Sequence, residues 1–202
     1  METSMEHKCI HWLTYVLRNW SNTDVRTVPG VMYQVLCGSD EGIQYRFHWF
    51  WDCEETYIHN HRYAFDTYCI EGEYVERIWE IVLGDTEAVT YCFSREPGNH
   101  LTSFMNVCGT LQIVECHSHF PGNVLHVRTD QFHSISPMNG LNNRVMTFVA
   151  RRLDSSIKEN TYILSSTATI EAPIETILVA TPEERQAMYC KLQQISMSYS
   201  VN

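Results

Sequence analysis

The spacing of apolar residues changes period twice along the chain and divides it into three parts. Over residues 3–20, Ile10, Leu13, Leu17 and Trp20 recur on one face with Val16 beside them, which predicts an amphipathic helix. Thr3 and Glu6 have the spacing of a capping box at its start, and Ser21-Asn22-Thr23-Asp24 ends the pattern. From about residue 29 alternation takes over. Residues 31–37 and 43–51 read as strands, the second with Tyr45, Phe47 and Phe50 set among Gln44, Arg46 and His48. Strand-like runs follow at 56–61, 66–71, 74–83, 87–94, 109–116, 123–128, 132–136, 144–151 and 161–170. Turns carrying Gly72, Gly84-Asp85, Pro97-Gly98-Asn99, Pro121-Gly122 and Asn139-Gly140 separate several of them. The helical period returns over 182–196, with Met188, Leu192 and Ile195 as its stripe, Thr181 as cap, Pro182 in the first turn and Glu184 completing a box. Residues 196–202 read as a short edge strand or a frayed tail.

Many short strands at this spacing predict an all-β sandwich or barrel. No βαβ rhythm and no glycine-rich nucleotide loop is present. The organisation expected is one domain over 1–202: a helix and linker to residue 28, a β-barrel over 29–170, and a helix with its tail over 181–202.

Charge narrows the partners. At a formal net charge of −10 the surface repels phosphate backbones, so nucleic acid is not expected as a partner. The nearest thing to a basic patch is Arg144, Arg151 and Arg152. No apolar run reaches membrane-span length, and the acidic start Met1-Glu2-Thr3-Ser4-Met5-Glu6-His7 is unlike a signal peptide. The eight cysteines contain no CxxC pair and read as reduced core thiols, which with the missing export signal gives a cytoplasmic expectation. Cys53, Cys69 and Cys116 stand near the motifs described next but lack ligand spacing.

The strongest local signal is Tyr57-Ile58-His59-Asn60-His61. In a strand, residues two apart point the same way, so His59 and His61 project together and can grip one metal ion. Downstream, Gly122 is followed after five residues by Arg128-Thr129-Asp130, then Gln131-Phe132 and His133. These two stretches, with Gly72 in Ile70-Glu71-Gly72-Glu73-Tyr74 between them, resemble the two motifs of the cupin superfamily. Arg128 stands where that pattern has proline, Asp130 where it has glycine, and Pro137 where it has asparagine.

The resemblance spans roughly 57–137. It implies an all-β cupin-type jelly-roll barrel, here with an N-terminal and a C-terminal helix, and maps His59, His61 and His133 onto the metal-binding histidines. The family's acidic ligand falls on Asp66 counted forward from His61, and on Phe65 counted back from Gly72. One residue in a strand means the opposite face, so only one of them faces the metal. The Phe65 frame is preferred because it also sets Cys69 in a core row.

A three-histidine site with no acid is similar to that of the cysteine dioxygenase group within the cupins. That resemblance implies iron(II), with zinc, nickel or manganese as alternatives. It also implies dioxygen and a small amino-acid-like or thiol-bearing acid as partners, and it leaves room for a homodimer. Arg62 or Arg128 is expected to fix the acid group, with Arg46 a further candidate, and Tyr68 or His126 to move a proton. His117 and His119 form a second HxH that could pair with His126 and His133, and Tyr57 is a further phenol near the site. Two other classes stay open: a metal-dependent isomerase, lyase or hydrolase, and a non-catalytic small-molecule-binding barrel.

Overall fold

A computed structural model describes residues 4–50, 55–83, 89–95, 101–138, 144–153, 161–167 and 177–200. Helix α1 (Met5–Arg18) leads into a short 3-10 turn at Trp20–Asn22. The strands that follow are β1 (Asp24–Val28), β2 (Met32–Asp40), β3 (Ile43–Phe50), β4 (Ile58–His59), β5 (Phe65–Glu71), β6 (Tyr74–Leu83), β7 (Val89–Arg95), β8 (Leu101–His119), β9 (Val124–Val127), β10 (Phe132–Pro137), β11 (Val145–Arg152), β12 (Thr161–Ser165) and β13 (Leu178–Val179). Helix α2 (Pro182–Ser200) comes last.

Both helices begin on side-chain caps. Ser4 Oγ accepts the His7 amide hydrogen at 3.3 Å, so the α1 cap is Ser4 and not Thr3, which lies outside the described residues. The capping box expected on α2 is formed. The Glu184 amide donates to Thr181 Oγ1 at 3.2 Å, and the Thr181 amide donates to Glu184 Oε2 at 2.8 Å. α2 continues through Ser200, so most of the stretch read as a strand or tail is helical. The buried stripe of α1 is Cys9, Leu13 and Val16, rotated slightly from the one centred on Ile10 and Leu17.

Seven strands form one antiparallel sheet in the order β13-β1-β2-β3-β11-β5-β9. Residues 24–28, read from sequence as linker, are strand β1 because β2 and β13 flank them and Val25, Thr27 and Val28 are buried. The β2–β3 hairpin turns at Glu41 and Gly42, both at positive φ (48° and 76°), the turn type that matches strand twist.

One face of this sheet presents Val35, Tyr45, Phe47, Tyr68 and Phe148, which pack with Leu13 of α1 and with Met188, Leu192 and Ile195 of α2. The other face carries Gln34, Arg46, His48, Thr67, Val149 and Arg151 and looks into the molecule's interior cavity. Because both faces are covered, polar residues on the second face are not a solvent face at all.

The remaining strands close into a barrel in the order β10-β4-β12-β7-β8-β6, with β6 paired back to β10. Strand β8 makes this closure, pairing with β7 along residues 101–108 and with β6 along 109–119. The sequence had suggested a strand only over 109–116. The architecture is the expected all-β cupin-type jelly-roll barrel, flanked by α1 and α2. Among the described residues no helix is long and apolar enough to cross a membrane. The seven described cysteines are all free thiols; Cys53 lies outside the described residues.

Candidate metal centre

The three histidines meet because pairing forces them together. His59 ends β4 and lies directly opposite His133 of β10. Between His59 and His61, Asn60 is buried and clasped by β12: its amide donates to Tyr162 O at 3.2 Å, and the Tyr162 amide donates to Asn60 Oδ1 at 2.7 Å. Holding the middle residue on the β12 side leaves its two neighbours facing the interior.

The ring centroids form a nearly equilateral triangle. His59 lies 4.6 Å from His61 and 5.0 Å from His133, and the third side is 4.9 Å. The Nε2 atoms of His61 and His133 are 2.8 Å apart, and one donor atom from each residue falls within 4.8 Å of the others. Three nitrogens on one ion at ~2.1 Å stand roughly 3–3.5 Å from one another, so the cluster is close to binding distance. These side chains can coordinate a divalent metal ion.

Hydrogen bonds behind the rings fix which nitrogen faces the centre. His59 Nδ1 lies 2.7 Å from the Tyr57 carbonyl oxygen, and His133 Nδ1 lies 2.6 Å from Glu76 Oε1. Both partners can only accept, so both Nδ1 atoms carry hydrogen and the Nε2 atoms are the ones that can serve as metal donors. Glu76 is fully buried, as is His133 at 1% exposure. Burial works to raise the Glu76 carboxyl, but the facing imidazoles of His119 and His133 outweigh it and lower it from 4.5 to about 2. Glu76 therefore stays an anion. His119 Nε2 lies 3.7 Å from its other oxygen, too far for a hydrogen bond but close enough for charge to be felt.

The Phe65 frame is the one adopted. Its ring meets His61 edge-on at 4.7 Å, and Phe65 and Thr67 line the cavity. Asp66 turns the other way and pairs with His126 Nδ1 at 2.7 Å, so it is not a ligand. Cys69 is buried, its thiol pushed up to about 12 by burial, and it donates to Gly72 O at 3.4 Å. It stays protonated and is no metal ligand.

The other candidates separate into one on the cavity wall and several off it. Arg62 lines the cavity, with its Nε buried and without a hydrogen-bond partner. His126 does not, because Leu125 and Val127 hold the inward positions of β9 and leave His126 exposed on Asp66. Arg128 is exposed and forks onto Asp130 at 3.0 and 2.7 Å, a local pair within the turn before His133. Tyr68 belongs to the helix-covered face, with its hydroxyl 3.5 Å from that of Tyr199. His117 pairs with Glu115 at 2.8 Å on an exposed stretch of β8, and His119 backs Glu76, so the second HxH does not join His126 or His133 as a metal pair. Tyr57 and Cys116 are exposed.

Glu76 went unread in the sequence. Its only signal is parity: it shares a strand face with the buried Tyr74 and Ile78. The histidine cluster opens onto a cavity of about 270 Å³ between the two sheets, with Phe65, Val127 and Val149 on its apolar wall.

Solved structures with a similar trace include an RmlC-like cupin from Shewanella frigidimarina, at 12% identity over 67% of this chain and 87% of that one, with a TM-score of 0.39. A cupin superfamily protein from Desulfitobacterium hafniense is 11% identical over 61% of this chain and 78% of that one, with a TM-score of 0.33. A hydroquinone 1,2-dioxygenase from Sphingomonas is 4% identical over 58% and 63%, with a TM-score of 0.37. No family model matches the chain, and no curated protein is similar to it in sequence.

Proposed function

We propose that this chain is a metal-dependent oxidoreductase, a mononuclear non-haem iron(II) dioxygenase acting on a small acid held in the interior cavity. The observation that carries this reading is the donor set: three imidazoles converge with no carboxylate among them, two of them locked with Nε2 inward by Tyr57 O and Glu76. Such a set binds a divalent cation through neutral nitrogens and leaves coordination positions open toward the cavity. Iron(II) held there would supply redox chemistry with dioxygen.

The chain's own residues do the rest. Glu76 holds the His133 ring in one tautomer and one orientation. Phe65, packed on His61, keeps water from the substrate side of the cluster. Arg62, on the cavity wall, offers a guanidinium to an acid group of the substrate. His126, Arg128 and Tyr68 lie off the cavity and have no part in this proposal.

Metal analysis of protein purified without added metal tests the reading. Roughly one iron per chain is expected, with oxygen consumed in the presence of small acids and thiols. His133→Ala should lose the iron. Zinc, nickel or manganese in its place, with no oxygen uptake, would overturn the oxygenase reading in favour of an isomerase, lyase or hydrolase.

A further inference from the structure

The cavity wall on the seven-stranded sheet is basic. Gln44, Arg46 and His48 project from one face of β3, and Arg151 of β11 lies directly opposite Gln44 in the register. Arg46 Nε and an Arg46 terminal nitrogen donate to Gln44 Oε1 at 3.0 and 2.6 Å, and Arg151 donates to the same oxygen at 2.6 Å. One neutral amide oxygen thus gathers two guanidinium groups. The Arg151 guanidinium also lies 4.3 Å from the centre of the Tyr63 ring, which helps to fix its plane. Arg62 brings a third guanidinium to the same cavity.

None of the three has an acidic partner among the described residues. The nearest acid on β1, Asp24, is taken by Arg26 at 2.6 Å. The Nε atoms of Arg62 and Arg151 and the Nε2 of His48 are buried with no hydrogen-bond partner. Burial lowers Arg46 to about 10 and also lowers Arg151, and it takes His48 down to about 3, so that ring is neutral. Uncompensated charge in such a setting is costly unless something of opposite sign comes to meet it. Among the described residues, no ion pair offsets these three guanidiniums, and the only carboxylate charge felt by Arg46 is that of Asp24.

We propose that Arg46, Arg151 and Arg62 form an anion-binding subsite. The cavity's ligand is then a small molecule with a doubly negative head, a dicarboxylate or a phosphate-type group. A single carboxylate would leave two guanidiniums unmatched. The apolar wall of Phe65, Val127 and Val149 holds the ligand's body, and Phe65, in contact with His61, points that body toward the histidines. Only that last orientation rests on the metal-dependent reading above; head-group binding does not require the metal.

Calorimetry on the purified protein with phthalate, succinate, inorganic phosphate and benzoate tests the proposal. Phthalate, succinate or phosphate should bind, and which of them binds identifies the dianion. Arg46→Gln and Arg151→Gln should each weaken that binding roughly 10- to 100-fold, while Arg128→Gln on the exterior leaves it unchanged. The melting temperature of unliganded Arg46→Gln should stay level or rise, because a half-buried charge with no ion-pair partner among the described residues has gone; a purely structural arginine would lower it. Binding should persist in His133→Ala, so loss of iron or oxygen uptake sinks the enzymatic reading without touching this one. No binding by any of the three dianions, benzoate binding as tightly as phthalate, or unaltered affinity in both arginine variants would overturn the subsite.

Discussion

Glu76 decides how firmly the candidate metal centre is built. Its carboxylate fixes the His133 ring, and Glu76→Gln should lower metal affinity by roughly 10- to 100-fold while the barrel stays folded, read by competition with a chelator and by circular dichroism. Two residues also set the response to acid. His48 is held neutral down to about pH 3, whereas the unfolded chain protonates it near 6.5. A histidine depressed on folding favours the unfolded state as pH falls below the unfolded value, so stability should decline from about pH 6.5 downward. Glu76, lowered to about 2, adds stability that is complete above 4.5 and lost as pH falls from there toward 2. The urea midpoint should therefore start to fall near pH 6.5 and steepen below 4.5, and His48→Gln should remove the first part of the fall. The three clustered histidines were legible in the sequence because strand parity ties 59 to 61 and motif spacing brings in 133. Glu76 was not, because it stands among Glu71, Glu73 and Glu80 in what reads as an acidic, solvated strand.

Among the described residues most strands followed their alternation, though β4 is only Ile58–His59, and turns form at Gly72 and at Pro121-Gly122; the turns read at Gly84-Asp85, Pro97-Gly98-Asn99 and Asn139-Gly140 lie outside the described residues. Gly72 joins β5 to β6 at φ +80°, and a Cβ there would come within 2.6 Å of the Arg144 carbonyl oxygen. Gly72→Ala is expected to cost about 1–3 kcal/mol in denaturant unfolding, because both the backbone and its neighbour resist the methyl group. Since β5 carries Phe65 and β6 carries Glu76, the same substitution should weaken metal retention more than a distant substitution of equal cost. Beyond the helical tail of α2, the strands β1, β8 and β13 were missed or cut short, for a common reason. β1 is too short to declare itself and exists because β2 and β13 pair with it, and β8 outran its expected bounds because two successive partners extend it. Pairing of that sort is long-range information that no local window contains.

At the scale of the molecule, the seven-stranded sheet separates two environments. Its helix side is apolar and closed by α1 and α2; its other side faces a cavity to which the sheet contributes Arg46, His48 and Arg151, and to which His59, His61 and His133 are added from the second sheet and the turn after β4. Read from sequence, Arg46 is a candidate for fixing an acid group, but alternation reveals only that Gln44, Arg46 and His48 share a side and not what lies across from it. The overall class was legible from strand count and turn spacing. The basic wall was not, since it depends on β3 and β11 lying side by side in register.

The Asn60 clasp has a consequence for where the chain can be cut. Its partner Tyr162 lies more than one hundred residues downstream and 29 residues past the last of the three histidines. A fragment ending after β11 would keep every ligand and both motifs yet lose the strand that turns His59 and His61 inward. Counting histidines in such a fragment would rate it complete, while in solution it should bind metal more weakly than the intact chain, because only the β10 pairing still orients His59.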